Sequence, residues 1–342
     1  MKAKQPLRLG LSAVTLMCSL FGARAQEGNT AYEFLNIPTS SHVWALGGTN
    51  ITIIDDDVTL TDANPALIGP EIDMQVGVNY MLYMGSSNFA GVRFGMAAGE
   101  HGAWAAGIRY LNYGSMTEYG VDGVAMGSFS PQDLVVEGTW SHDIDSRLRG
   151  GINVKMVYSN YAEYSAFAMA ADLGINYYNE ETDLSFSAVL KNMGGQLKRF
   201  NKDYDRLPFD IQLGYMQGLG SSPFSVSIQA SHLTKWKLPY YTHDKDDPEK
   251  QQVLKSNFGS DLFRHLIFGI QYQPSDSFYA ALAYNYKRAT DMSVYQRSFL
   301  SGFSIGLGLN VRAWKMGVSF AMPHAGASSL MLNLSCGLGE LL

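Results

Sequence analysis

Three consecutive carboxylates, Asp55-Asp56-Asp57, are the first residues whose type and spacing suggest chemistry. Clustered carboxylate oxygens suit a hard cation such as calcium. The spacing does not match an EF-hand loop, and no glutamate follows at the bidentate position. The other reading is a hydrogen-bonded turn, and no metal or other cofactor is assigned. Nucleophilic catalysis needs a serine or cysteine, a base and a group that orients the base. The seven histidines, His42, His101, His142, His232, His243, His265 and His324, are scattered along the chain. The chain is read as lacking a Gly-x-Ser-x-Gly nucleophile elbow, and it has no dinucleotide or phosphate loop. The expectation is a protein that is not an enzyme. A lipid-modifying enzyme inside a barrel stays open, and would need Ser, His and Asp around one pocket. The clearest interaction candidate is the connection 235–261, where Trp236, Tyr240 and Tyr241 precede a mixed-charge run at 243–250. Exposed aromatics beside charge suit a protein-binding loop, and an ordinary hydrophilic loop is the plain alternative.

The elements that position these residues differ along the chain. Lys2, Lys4 and Arg8 precede an apolar run from Leu9 to Phe21, followed by Ala23-Arg24-Ala25. This is the pattern of a cleaved secretory signal peptide covering 1–25. The run is short of the ~20 residues a spanning helix needs. Cleavage removes Cys18 and leaves Cys336 alone, so no internal disulfide is expected. Net charge is -6 with no basic stripe, which argues against nucleic acid as a partner. High glycine (35) and tyrosine (20) with only 16% charged residues suit an exported β-protein.

From residue 72 onward the signal is period-two alternation. Phe303, Ile305, Leu307, Leu309 and Val311 share one face, and Ser304, Gly306, Gly308, Asn310 and Arg312 the other. Leu330, Leu332, Leu334 and Cys336 alternate with Met331, Asn333 and Ser335 in the same way. About fourteen such segments of ~9–13 residues are the length a tilted membrane strand requires. Their connections sort by parity into tight turns (99–102, 143–147, 179–182, 218–223 and 274–277) and longer loops (114–130, 193–207, 235–261 and 288–299). An even strand count puts both termini on one side. Tyr80, Tyr83, Tyr110, Tyr113, Trp140, Tyr158, Tyr161, Tyr178, Tyr272 and Trp314 fall near strand ends, where interfacial girdles form. The reading is an all-β chain: a 14-stranded antiparallel outer-membrane β-barrel over 72–342 with an N-terminal plug over 26–71. Within the plug, Gly47 and Gly48 break a short helix, Asp55, Asp56 and Asp57 mark its base, and Asn64-Pro65 makes a turn. Strand glycines such as Gly150, Gly151, Gly306 and Gly308 either relieve crowding beside a plug or permit a kink.

The plug stretch carries a family resemblance. Tyr32-Glu33-Phe34-Leu35-Asn36-Ile37-Pro38, Ala45-Leu46-Gly47-Gly48, Asp55-Asp56-Asp57 and Asn64-Pro65-Ala66-Leu67 resemble the N-terminal region of the PorQ family. These are outer-membrane components of the type IX secretion system of Bacteroidota, similar to PorV and to FadL-type barrels. The resemblance implies an anchor for the attachment complex that processes secreted proteins and couples them to lipopolysaccharide. The implied partners are a PorZ-like surface protein, a PorU-like sortase and a PorV-like barrel, together with the bilayer and lipopolysaccharide. The alternative is a FadL-like channel for hydrophobic small molecules, with an apolar pocket above the plug and a lateral opening.

Overall fold

The computed structural model describes residues 32–120, 122–242, 253–291, 300–324 and 327–340. The expected signal peptide, the first residues of the expected plug (26–31) and the charged run 243–250 lie outside the described residues. The strands in chain order are β1 (Gln75–Tyr83), β2 (Ser87–Ala97), β3 (Gly102–Asn112), β4 (Met116–Tyr119), β5 (Ala125–Phe129), β6 (Gln132–Asp145), β7 (Leu148–Tyr161), β8 (Tyr164–Asn179) and β9 (Leu184–Lys198). They continue with β10 (Asp210–Gly218), β11 (Phe224–Ala230), β12 (Tyr240–Thr242), β13 (Val253–Lys255), β14 (Leu266–Ser275), β15 (Phe278–Asn285), β16 (Phe303–Val311), β17 (Trp314–His324) and β18 (Ala327–Gly337). Fourteen of them form one closed antiparallel barrel, in which β1 pairs with both β2 and β18. The pairs β4–β5 and β12–β13 are small separate hairpins within connections. Closure gives every barrel strand a partner on both sides, as a sheet in hydrocarbon requires, although β9 outruns its pairing with β10 at one end.

Alternation decides which face each side chain takes. On β1, Val78, Tyr80 and Leu82 are exposed, whereas Asn79 and Met81 are buried. On β16, Ile305, Leu307, Leu309 and Val311 point outward, and Ser304 points inward. The barrel thus wears its apolar residues outside and its small and polar ones inside, the reverse of a protein core in water and the arrangement lipid favours. Among the described residues no helix is long and apolar enough to cross a membrane.

The expected sorting of connections holds. The turns after β2, β6, β8, β10, β14 and β16 are short and share one end of the barrel. The connections carrying β4–β5, residues 199–209, β12–β13 and residues 286–302 share the other, with three short ones beside them. Six of the ten expected girdle aromatics face outward: Tyr80, Tyr110, Trp140, Tyr158, Tyr272 and Trp314. Three turn inward instead. Tyr83 lies three residues from Tyr80, an odd step that reverses its face, and it packs edge-on against Trp44. Tyr113 and Tyr161 both donate to Asp133 inside the wall, at 2.7 and 2.9 Å. Tyr178 hydrogen-bonds Asp183 at the short-turn rim.

Wall height is uneven. Strands β6 to β9 run 14 to 16 residues, while β10, β11, β14 and β15 run 7 to 10. Above the low side sit the β12–β13 hairpin and two helices. With the first helix, α1 (Ser41–Ala45), these are α2 (Phe258–His265) and α3 (Tyr286–Asp291).

Candidate functional site

The lumen is where the chain brings distant residues together. Residues 32–72 run inside the ring of strands, almost wholly buried. The described segment starts at the long-connection end, where Tyr32 accepts a hydrogen bond from Gln196 (2.8 Å) and stacks on Phe200. Strand β1 begins and β18 ends at the opposite rim, so the two ends of the described chain do not share one side. The even strand count describes the barrel alone.

In the upper half the contacts are apolar. Tyr32, Phe34, Leu35, Ile37 and Trp44 pack with inward residues of the wall, Met81, Phe89, Leu111 and Val157 among them. Arg288, from α3, lies over the Trp44 ring at 4.4 Å and caps this cluster. At half height the contacts become ionic. Asp62, on the turn 58–62, faces Arg109 at 3.4 Å and Arg93 at 3.6 Å. Thr39 donates to the same carboxylate at 2.5 Å. Arg93 also bonds Thr61 and Glu137, and Arg109 reaches Glu137 at 3.2 Å and the carbonyl of Ile37 at 3.3 Å. Alongside, Lys155 pairs with Asp172 at 2.5 Å and donates to Asn192 at 2.9 Å. None of these six charges, Asp62 included, is among the residues singled out from sequence; the five on strands are Arg93, Arg109, Glu137, Lys155 and Asp172. The signal was available, because each sits at an inward position of an otherwise apolar or small-residue strand.

The residues singled out from sequence fall as follows. Gly47 and Gly48 end α1 with φ of 95° and 83°, a region that favours glycine. Gly306 leaves room for Ala45 of α1, where an added Cβ would come within 2.6 Å of the Ala45 methyl. Gly151 makes the same allowance for the Asn64-Pro65 turn, and Gly308 faces the Tyr279 ring. Gly151 and Gly306 therefore serve close approach of the inner segment, whereas Gly308 makes room for a side chain of the neighbouring wall strand. Asn64 caps the turn it opens, accepting from the Ala66 amide at 2.9 Å and donating to the Ile51 carbonyl at 3.1 Å.

The three aspartates diverge. Asp55 pairs with Lys315 at 2.6 Å, Asp56 is exposed, and Asp57 accepts from Thr59 and Ser335 at 2.9 and 2.8 Å. Among the described residues no group of three or more metal-capable side chains converges. Burial works against the Asp55 charge, but the His42 contact and the Lys315 ammonium outweigh it and hold the carboxyl at about 2. Asp57 moves the other way: burial raises it, and the charge on Asp55 adds to the effect.

A narrow polar cleft at the short-turn end is lined by Ser41, His42, Asp55, Tyr279, Lys315 and Asn333. It holds serine, histidine and aspartate, but not in relay. His42 Nε2 is engaged by Gln271 at 2.8 Å, and its ring stacks on Tyr279. One Gly-x-Ser-x-Gly string does occur, from Gly302 to Gly306. It lies largely within β16, in extended backbone with Ser304 buried, and is not the strand-to-helix elbow that exposes a nucleophile. Of the other histidines, His265 is the last residue of α2 and is bonded to the Ser231 carbonyl, and His101 and His142 are at the short-turn rim. His243 is outside the described residues.

Of the loop aromatics, Trp236 is exposed and packs on Phe258 and His265. Tyr240 is buried, with the Arg264 guanidinium 4.9 Å from its ring. The Tyr241 backbone pairs with Leu254 in the β12–β13 hairpin.

The wall carries a seam between β9 and β10. The β9–β10 ladder ends at Lys191 and Asp210, although β9 continues to Lys198 paired with β8. Asn192 takes φ 57° there, and the β8–β9 register shifts between Ala171 and Leu173. The connection 199–209 lies alongside, its Pro208 carbonyl accepting from Asn192 at 3.1 Å and Leu207 entering the upper apolar cluster.

No family model and no curated protein matches the chain. Solved structures do. The Pseudomonas putida toluene transporter TodX aligns with 11% identity over 87% of this chain and 96% of its own, with a TM-score of 0.52. The Ralstonia pickettii toluene transporter TbuX aligns with 12% identity over 88% and 98%, at 0.51. The monoaromatic hydrocarbon channel CymD aligns with 11% identity over 89% and 97%, at 0.52. The chain forms a closed fourteen-stranded barrel and shares its overall fold with these structures.

Proposed function

We propose that the chain is an outer-membrane barrel that takes up hydrophobic small molecules, with the segment over 26–71 as its plug. The observation that carries this reading is the likeness to hydrocarbon channels over nearly the whole length of both chains. Two features of the site support it. The upper lumen is lined by apolar and aromatic side chains, the surface such molecules need. The β9–β10 seam lies beside that lining, at a place where the wall lacks continuous pairing. The long connections face outward and the short turns face the periplasm, as in barrels of this kind. The test is uptake of labelled toluene by vesicles carrying the full chain. Faster uptake than in vesicles without it, abolished by Leu35→Arg in the upper lumen, is the expected result. Uptake equal to empty vesicles ends this reading.

One observation favours a second reading. The apolar upper lumen is occupied by the chain's own Tyr32, Phe34, Leu35 and Ile37, and a filled barrel suits an anchor better than a channel. Together with the PorQ-like residues, this supports a barrel that holds the type IX attachment complex at the cell surface. Its partners would be a PorZ-like surface protein, a PorU-like sortase and a PorV-like barrel, with lipopolysaccharide nearby. Trp236, at the outward end, is the first contact to test. A pull-down from detergent-solubilised outer membrane with a C-terminal tag recovers the surface protein under this reading, and less of it from Trp236→Ala. Recovery of the barrel alone rejects it.

A further inference from the structure

Helix α2 is built inside out. At 3.6 residues per turn, Phe258, Gly259, Leu262 and Phe263 share one half of its surface, and Ser260, Asp261, Arg264 and His265 share the other. A surface helix in water buries its apolar stripe and exposes its polar one. Here the polar four are buried, while Phe258 is 70% and Phe263 49% exposed. The orientation is fixed by the polar half. Arg264 pairs with Asp291 at 2.5 Å, bonds Thr290 and lies over Tyr240. His265 joins the carbonyls of Ser231 and Trp236 at 2.8 and 3.0 Å, and Asp261 accepts from Ser256 at 2.9 Å. Rotating the helix to hide its phenylalanines would strip a buried guanidinium of its carboxylate.

The exposed half continues the barrel's outer wall. Phe263 is 6.4 Å from Phe268 and 6.0 Å from Tyr286. Phe268 belongs to an outward row in register across four strands, Ile228, Phe268, Tyr284 and Phe303. At the other end of the helix Phe258 packs on Trp236, a residue whose ring is apolar and whose N–H seeks a polar partner. That character is the one enriched at membrane–water boundaries.

We propose that α2, with Trp236 beside it, is an interfacial ledge whose apolar half lies against acyl chains of the outer leaflet. The ledge widens the lipid-facing surface above the low wall of β11, β14 and β15, where the strands are too short to supply it themselves. This rests on the wall facing lipid and not on what the lumen carries; under the anchor reading it sets Trp236 at the lipid boundary in place of a docking contact. It gives Phe258, Leu262 and Phe263 a membrane role in place of a docking role.

Collision accessibility of a nitroxide decides between them. In a Cys336→Ser background, cysteine is introduced as Leu262→Cys or Phe258→Cys, labelled, and the full chain placed in phospholipid nanodiscs. Leu307→Cys on the outer wall gives the lipid reference, and Met126→Cys in the exposed β4–β5 hairpin gives the water reference. Folding is checked by the heat-dependent gel shift of a closed barrel, and either α2 position suffices if the other prevents folding. The expected result is an oxygen-to-nickel-complex accessibility ratio several-fold above the Met126 value and close to that of Leu307. A ratio matching Met126 overturns the proposal and leaves the apolar face standing in water, as a protein-docking surface would.

Discussion

The two halves of the filled lumen hold the same segment by different physics. Around Asp62 the inner chain is tied by charge: one carboxylate meets two arginines and a threonine, all buried. Around Leu35 it is held by shape, through aromatic and aliphatic contacts with the upper wall. Charge pairing in a buried site is directional and costly to break on one side, because the remaining partner stays desolvated. Apolar packing is graded and tolerates displacement by another apolar group of similar volume. The lower and middle segment is therefore the fixed part, and the upper stretch 32–37 is the part that a hydrophobic ligand could replace in kind.

Removing one partner of the ionic half should have the largest effect. Asp62→Ala leaves Arg93 and Arg109 sharing only Glu137 as a carboxylate partner in that cluster. Breaking such a buried pair costs about 3–5 kcal/mol, read as a lower Tm of the barrel and faster proteolysis of the inner segment. Leu35→Ala tests the other half. A fully buried leucine truncated to alanine costs about 3 kcal/mol, and the loss should be partly recovered when an apolar ligand such as toluene is added. Asp62→Ala should show no such recovery. Equal rescue of both variants would erase the distinction between the halves.

Acidification probes the base of the segment. Asp55 is depressed to about 2 in the folded chain, against about 3.9 when unfolded. Its contribution is complete above the unfolded value and is lost as the pH falls from there through about 2. Asp57, raised by burial, acts oppositely and costs stability as the pH rises above about 3.9. In an Asp57→Asn background, where the opposing group is gone, the inner segment should loosen on the acid side of pH 4, measured as protease sensitivity across a pH series. Lys315→Met removes a cation that holds Asp55 down, and should move that transition to higher pH.

Much of the barrel was legible because its rule is simple. Period two fixes the face of each residue, and the fourteen strands, their ends and the sorting of connections follow from it. The inward turn of Tyr83 follows from the same rule, since its odd spacing from Tyr80 reverses its face. The inner segment's hold on the wall was legible only as local motifs. Gly47-Gly48 and Asn64-Pro65 announce turns, but nothing local says that Asp62 meets Arg93 and Arg109 or that Asp55 meets Lys315, 260 residues away. Those contacts depend on barrel closure, which sets strands far apart in sequence around one axis. The inverted polarity of α2 was hidden for another reason: a helix with Ser260, Asp261, Arg264 and His265 on one half looks ordinary until burial shows which half faces in.

The smallest effect tests whether a turn in the inner segment and a glycine in the wall belong together. Asn64→Ala removes the cap on the Ala66 amide and the bond to the Ile51 carbonyl, a loss of about 1 kcal/mol. Gly174 on β8 faces the same side chain, and a Cβ added there would run into Asn64 Oδ1. Gly174→Ala alone should cost about 1–3 kcal/mol by overpacking. In the Asn64→Ala background the obstructing oxygen is gone, so the added methyl should cost less than it does alone. The double variant should then be more stable than the sum of the single losses implies, which is the signature of direct contact. Simple additivity would mean that the turn does not sit against β8 in the membrane, and the lower lumen would lose its standing as the fixed half.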